Sequence, residues 1–140
     1  MIEVLIAIVV LAIGLLGFAL LQTTSLRYTQ SANSRTLATN LGYSLLDQMR
    51  THRLSAAQYT NAGFAANTLT AAACNPVAGN DAVVHGIARW RCQVFESLGP
   101  SAAATITYDA AGQASVRLSW GERTAIDSEA STTFTASTQL

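Results

Sequence analysis

The chain contains no lysine. All eight basic residues are arginine, and eight acidic residues balance them to a net charge of zero. Charged residues make up only 11% of the 140. A dedicated nucleic-acid binder needs a basic surplus to displace phosphate counterions, and this chain has none. Proline occurs twice, and neither copy precedes Pro76, so no proline interrupts a helix in the first half. Cysteine is limited to Cys74 and Cys92, too few for a zinc knuckle and too far apart for a C-x-x-C redox motif. G-x-S-x-G, a phosphate loop and a nucleophile–base pair are all missing, so no enzyme is expected. Apolar residues, by contrast, make up 50% of the chain, which excludes a disordered tail. Serine and threonine supply about a fifth of the residues, too polar a background for a multi-span membrane protein.

The apolar residues are concentrated at one end. Val4 to Leu26 carries no charge, and Val4 to Leu21 (VLIAIVVLAIGLLGFALL) is apolar apart from Gly14 and Gly17. Eighteen helical residues rising roughly 1.5 Å each span about 27 Å, close to the hydrocarbon thickness of a bilayer. A buried helix of a soluble protein usually shows a polar face, and this run has none. A cleaved signal peptide has basic residues before its apolar run and a small-residue cleavage site after it. Here the run is preceded by Glu3 and followed by QTTSLRYTQS, so the segment reads as a retained membrane helix. A carboxylate in hydrocarbon costs on the order of 2–3 kcal/mol. Glu3 therefore either lies in the headgroup region, favoured by the helix N-terminus, or has a cationic partner inside the membrane.

Beyond the run, Leu37, Leu41, Leu45 and Met49 step by four, with Ala38 and Leu46 beside them, and form one apolar helical stripe. A single helix of about fifty residues would reach roughly 75 Å, more than a globular core requires. Gly14 and Gly17 are weak helix formers inside it, expected to let a neighbouring helix approach closely.

The run MIEVLIAIVVLAIGLLGFALLQTTSLR resembles the N-terminus of type IV pilins and their relatives. Ile2, Glu3, Val4 and Leu5 stand where that family has its I-E-V/L-L element. The stretch SANSRTLATNLGYSLLDQMRTHR, Ser31 to Arg53, is similar to the minor pilin subgroup called PilV, the type IV pilus modification proteins. The resemblance covers the first 53 residues well and the remainder loosely. It implies an α+β pilin-like fold, in which a long N-terminal helix packs on a small antiparallel sheet with one extra short helix. The expected divisions are 1–26 as the transmembrane or filament-core half, 27–53 as the amphipathic half, and 54–140 as a periplasmic head that begins with a connecting loop, 54–80.

The resemblance also implies a structural role: a minor pilin, anchored by a single span in the bacterial inner membrane, that helps prime pilus assembly and supports motility, attachment or DNA uptake. Its partners would be other pilins through the N-terminal helix, the lipid bilayer, the inner-membrane assembly machinery and the prepilin peptidase, with no direct nucleic-acid contact and no cofactor. Glu3 would neutralise the N-terminal amine of an adjacent subunit, and the helix around Gly14 and Gly17 would be open to local unwinding in the assembled fibre. In the family a basic leader is removed after a glycine and the new N-terminus is methylated. This chain opens at Met1, so a start upstream of Met1 is expected. A minor pseudopilin of type II secretion shares the same N-terminus, and a membrane-anchored periplasmic binding module is the reading from a different class. With the head in an oxidising periplasm, Cys74 and Cys92 are disulfide candidates; two unpaired buried thiols are the alternative.

The head itself shows fewer patterns. Leu54 to Gly79 has no clear period. Asn80 or Asp81 can cap a helix whose apolar face is expected to hold Val84, Ile87, Ala88, Arg91, Val94, Phe95 and Leu98, ending at Gly99-Pro100. Ala104–Tyr108 and Ser115–Trp120, joined by DAAGQA, read as a hairpin with Val116, Leu118 and Trp120 on one face. Ser131–Leu140 is expected as a last strand at the edge. Asp81 and His85, at i and i+4, offer two metal ligands without a third, so a capping and surface pair is expected and no metal. His52 suits the C-terminal end of the long helix. Glu122, Asp127 and Glu129 make a short acidic loop without a calcium-loop pattern. Arg89 and Arg91 flank Trp90 but point to opposite sides of a helix, which weakens any nucleic-acid signal.

Overall fold

The computed structural model describes residues 2–122 and 131–140. Asp127 and Glu129 of the acidic loop lie outside the described residues. In chain order the elements are α1 (Ile2–Thr51), a 3₁₀ helix (Arg53–Ala62), a second 3₁₀ helix (Ala71–Cys74), α2 (Ala82–Leu98), β1 (Ala103–Tyr108), β2 (Gln113–Gly121) and β3 (Ser131–Gln139). The class is α+β, as expected. The chain divides into two compact units, Met1–Asn33 and Ser34–Leu140.

The first unit is helix alone. α1 is long because no proline breaks it, and its ends suit the helix dipole, with Glu3 in the first turn and Arg50 in the last. Every described residue up to Gln30 is exposed.

The second unit holds the core. Ala38, Leu41, Leu45, Leu46 and Met49 of α1 are buried at helical spacing. They belong to one cluster with Val83, Trp90, Val94 and Leu98 of α2 and with the inner face of the sheet. The three strands pair antiparallel in the order β1-β2-β3, with Ile106 opposite Val116 and Val116 opposite Ala136. Alternation puts Ala114, Val116, Leu118 and Trp120 of β2 inward. The β1–β2 turn is held by the Asp109 carboxylate, which accepts the Gln113 amide at 2.8 Å, and by Gly112, whose φ of 82° suits glycine. β3 lies at the edge, and its Phe134 ring sits where a Cβ on Gly42 would be, 2.6 Å from Cε1. Glycine at 42 therefore lets α1 and β3 approach closely.

Two sequence expectations are corrected. The segment after α1 is not a featureless connection, because it carries two 3₁₀ helices. In the first, Ala56, Tyr59 and Ala62 are the buried residues, and their spacing of three matches three residues per turn. Phe64 then exchanges both backbone hydrogen bonds with Ala104, each 3.0 Å, and ties the segment to β1. The second correction concerns α2. Its buried side runs through Val83, Trp90, Val94 and Leu98, not through Val84, which is exposed. Val84, Ile87, Ala88 and Arg91 line a shallow groove with Gln58 and Asn61 of the first 3₁₀ helix. The rotation follows from Trp90, whose large ring takes the central place in the core.

Candidate functional site

Two regions hold the residues singled out from the sequence. The first is the N-terminal part of α1. It is long and apolar enough to cross a membrane, and none of its most apolar stretch is buried. Glu3 is exposed in the first turn. Gly14 and Gly17 are helical, and a Cβ at either would meet nothing within 4 Å. Among the described residues, then, the close approach expected at these glycines finds no partner within the chain. The two threonines just beyond the run satisfy their hydroxyls within the helix. The Thr23 hydroxyl donates to the carbonyls of Ala19 (3.1 Å) and Leu20 (2.9 Å), and Thr24 donates to Leu20 O at 3.0 Å. Hydroxyls bonded back to the preceding turn need no water, which lowers the cost of placing Thr23 and Thr24 next to the apolar run that ends at Leu21. Arg27 is the first charge beyond that run, beside exposed Tyr28. That order, apolar run then basic and aromatic residue, is common at a membrane interface.

The second region is the tie between the segment after α1 and α2. Cys74 and Cys92 form a disulfide with an S–S distance of 2.02 Å and Cα atoms 4.7 Å apart. Cys74 closes the short 3₁₀ helix and Cys92 lies in α2. Glu96 stands one turn beyond Cys92, with Oε1 4.0 Å from Cys74 Sγ. Glu96 was not a sequence candidate, although its i, i+4 relation to Cys92 would have flagged it.

The other candidates are drawn into packing. Asp81 is the α2 N-cap, accepting the amides of Val83 (2.8 Å) and Val84 (3.4 Å). His85 Nε2 lies 2.7 Å from Gly79 O. The Asp81 and His85 side chains therefore serve two different backbone partners. Arg91 donates to three successive carbonyls, from Nη2 to Asn61 at 2.6 Å, from Nε to Ala62 at 3.1 Å and from Nη2 to Gly63 at 2.7 Å. Those carbonyls end the first 3₁₀ helix, where a cation is favoured. Its role is a capping one, which sequence periodicity had mistaken for membership of an apolar face. His52 Nδ1 lies 3.1 Å from both the Gln48 carbonyl and the Tyr59 hydroxyl. Burial, and then the Asp81 carboxylate, push the Tyr59 hydroxyl above its ordinary pKa of 10.0. Glu122 pairs with Arg35 at 3.4 Å.

No family model, curated protein or solved structure matches the chain.

Proposed function

We propose that this chain is a minor pilin, a structural subunit of a type IV pilus that is held in the bacterial inner membrane before assembly and helps prime the fibre. The observation that carries this reading is α1. Its exposed, uncharged apolar stretch continues without a break into a half whose stripe of Leu41, Leu45 and Met49 packs on a small α+β head. Such a surface needs a cover in water. Lipid tails would supply it in the membrane, and the helices of other pilins would supply it in the fibre. The disulfide supports a head that faces the oxidising periplasm.

In this reading Glu3 sets the register. Its carboxylate neutralises the N-terminal amine of the next subunit inside an apolar core. A subunit out of step leaves a charge unpaired there, which discriminates strongly against wrong alignments. The role is structural rather than catalytic, and the prepilin peptidase, other pilins and the assembly machinery are the partners.

The test is the behaviour of Glu3→Ala in the native cell. Its level in the inner membrane is expected to match wild type, while its content in sheared fibres falls steeply. Unchanged incorporation would overturn the role given to Glu3 and favour an anchored module that never polymerises. Recovery of the chain from a type II secretion pseudopilus would move it to that system.

A further inference from the structure

We propose that reduction of the Cys74–Cys92 disulfide creates a binding site for a thiophilic divalent cation, with Cys74, Cys92 and Glu96 as its three protein ligands. The donor atoms come from two elements held close together. Cys92 and Glu96 stand one turn apart on α2, and Cys74 is carried by the short 3₁₀ helix, its Cα 4.7 Å from that of Cys92. One ligand atom from each of the three residues lies within 4.8 Å of the other two. Tetrahedral metal–sulfur bonds of about 2.3 Å put two sulfurs a little under 4 Å apart, so the pair needs only side-chain rotation to open around an ion. Cys74 and Glu96 are exposed and Cys92 is half-buried, which gives an ion a path from solvent.

The charge balance favours a soft dication. Two thiolates and a carboxylate carry three negative charges against two positive ones, and thiolate ligands select zinc or cadmium over calcium or magnesium. Three protein ligands leave one coordination position for water. In the disulfide the sulfurs have no thiolate to offer, so the oxidised chain does not bind. With a trialkylphosphine as reductant the step balances. The phosphine is oxidised to its oxide with an oxygen atom from water, the S–S bond takes the two electrons, and the two water hydrogens end on the thiols. Binding of the dication then releases both thiol protons to solvent. The ion would replace the disulfide as the tie between the 3₁₀ helix and α2.

The experiment uses the full chain in detergent micelles, reduced anaerobically with a trialkylphosphine and titrated with cadmium, with zinc as the second probe. The expected result is one ion per chain, read by the thiolate-to-cadmium charge-transfer absorbance, and no such signal from the oxidised chain. The thermal midpoint of the reduced chain should rise with cadmium, because an ion held only by the folded state stabilises it. Glu96→Gln should keep the fold, by circular dichroism, and weaken cadmium binding by about tenfold or more. Equal affinity in Glu96→Gln removes the third ligand and overturns the site. So does binding that leaves the thermal midpoint unchanged or lowers it, which would mean the ion is held by unfolded chain. If the reduced chain is unfolded at the outset, cadmium-driven refolding supports the proposal and its failure overturns it.

Discussion

The indole Nε1 of Trp90 donates to the backbone carbonyl of Leu41 at 2.9 Å, a buried hydrogen bond between residues 49 apart in sequence. Trp90 is fully buried in α2, and Leu41 lies in the middle of the α1 stripe. The bond fixes the rotation of α2 about its own axis and explains why Val84 lies outside the core. Trp90→Phe keeps an aromatic ring but removes the donor and part of the volume. It should lower stability by about 2 kcal/mol, combining a lost hydrogen bond with a small cavity. Trp90→Ala should cost about 3–5 kcal/mol. Denaturant midpoints of the chain in micelles would check both values.

A Cβ at position 42 would fall where the Phe134 ring of β3 already lies, 2.6 Å from its Cε1. Gly42→Val should destabilise by about 1–3 kcal/mol through overpacking against the ring. The same substitution placed on Phe134→Ala should cost less than it does alone, because the clash is gone. A double-mutant cycle measures that coupling, and additive effects would show that the ring moves aside freely.

Arg91 is expected to act as a multiple carbonyl donor. Arg91→Ala should cost about 1–3 kcal/mol, since charge-assisted hydrogen bonds to three carbonyls are lost. Arg91→Lys should recover only part of this, because an ammonium lacks the planar fork that reaches three acceptors. Thermal midpoints of the three proteins rank the effect.

The disulfide closes a loop between residues 18 apart in sequence. Cys74→Ser with Cys92→Ser should lower stability by about 3 kcal/mol in the chain-entropy model. Unfolding in the presence and absence of reductant should distinguish wild type, which responds, from the double variant, which does not.

The raised pKa of Tyr59 gives stability a direction with pH. The folded state favours the neutral phenol, so the contribution is fully present below the ordinary value of 10.0. It is lost as the pH rises through that value towards the folded one. Unfolding curves taken from about pH 8 to about pH 11 should show falling stability, and Tyr59→Phe should show a shallower fall. The same variant loses the contact with His52, so it should be less stable than wild type at neutral pH.

The parts legible in the sequence were those with a single period and no competitor. The uncharged run from Val4, the stripe Leu41–Leu45–Met49 and the alternation of Val116, Leu118 and Trp120 each specify one geometry, because a helix repeats every 3.6 residues and a strand every two. A cap at Asn80 or Asp81 was legible, and the structure places it at Asp81, whose short carboxylate reaches amides two and three residues on. The first 3₁₀ helix was hidden because a period of three, Ala56–Tyr59–Ala62, is carried by small residues and one tyrosine in an alanine-rich stretch. The facing of α2 was ambiguous in sequence, since apolar residues lie on more than one side of it. Only packing decided that Trp90 turns inward to meet Leu41 while Arg91 reaches the end of a 3₁₀ helix. Tertiary structure also brought Cys74 beside Cys92 and Glu96, a meeting that depends on the path of the chain between residues 53 and 81. Local propensity acts over a few residues and sets the elements; contacts between distant residues depend on how those elements share one core.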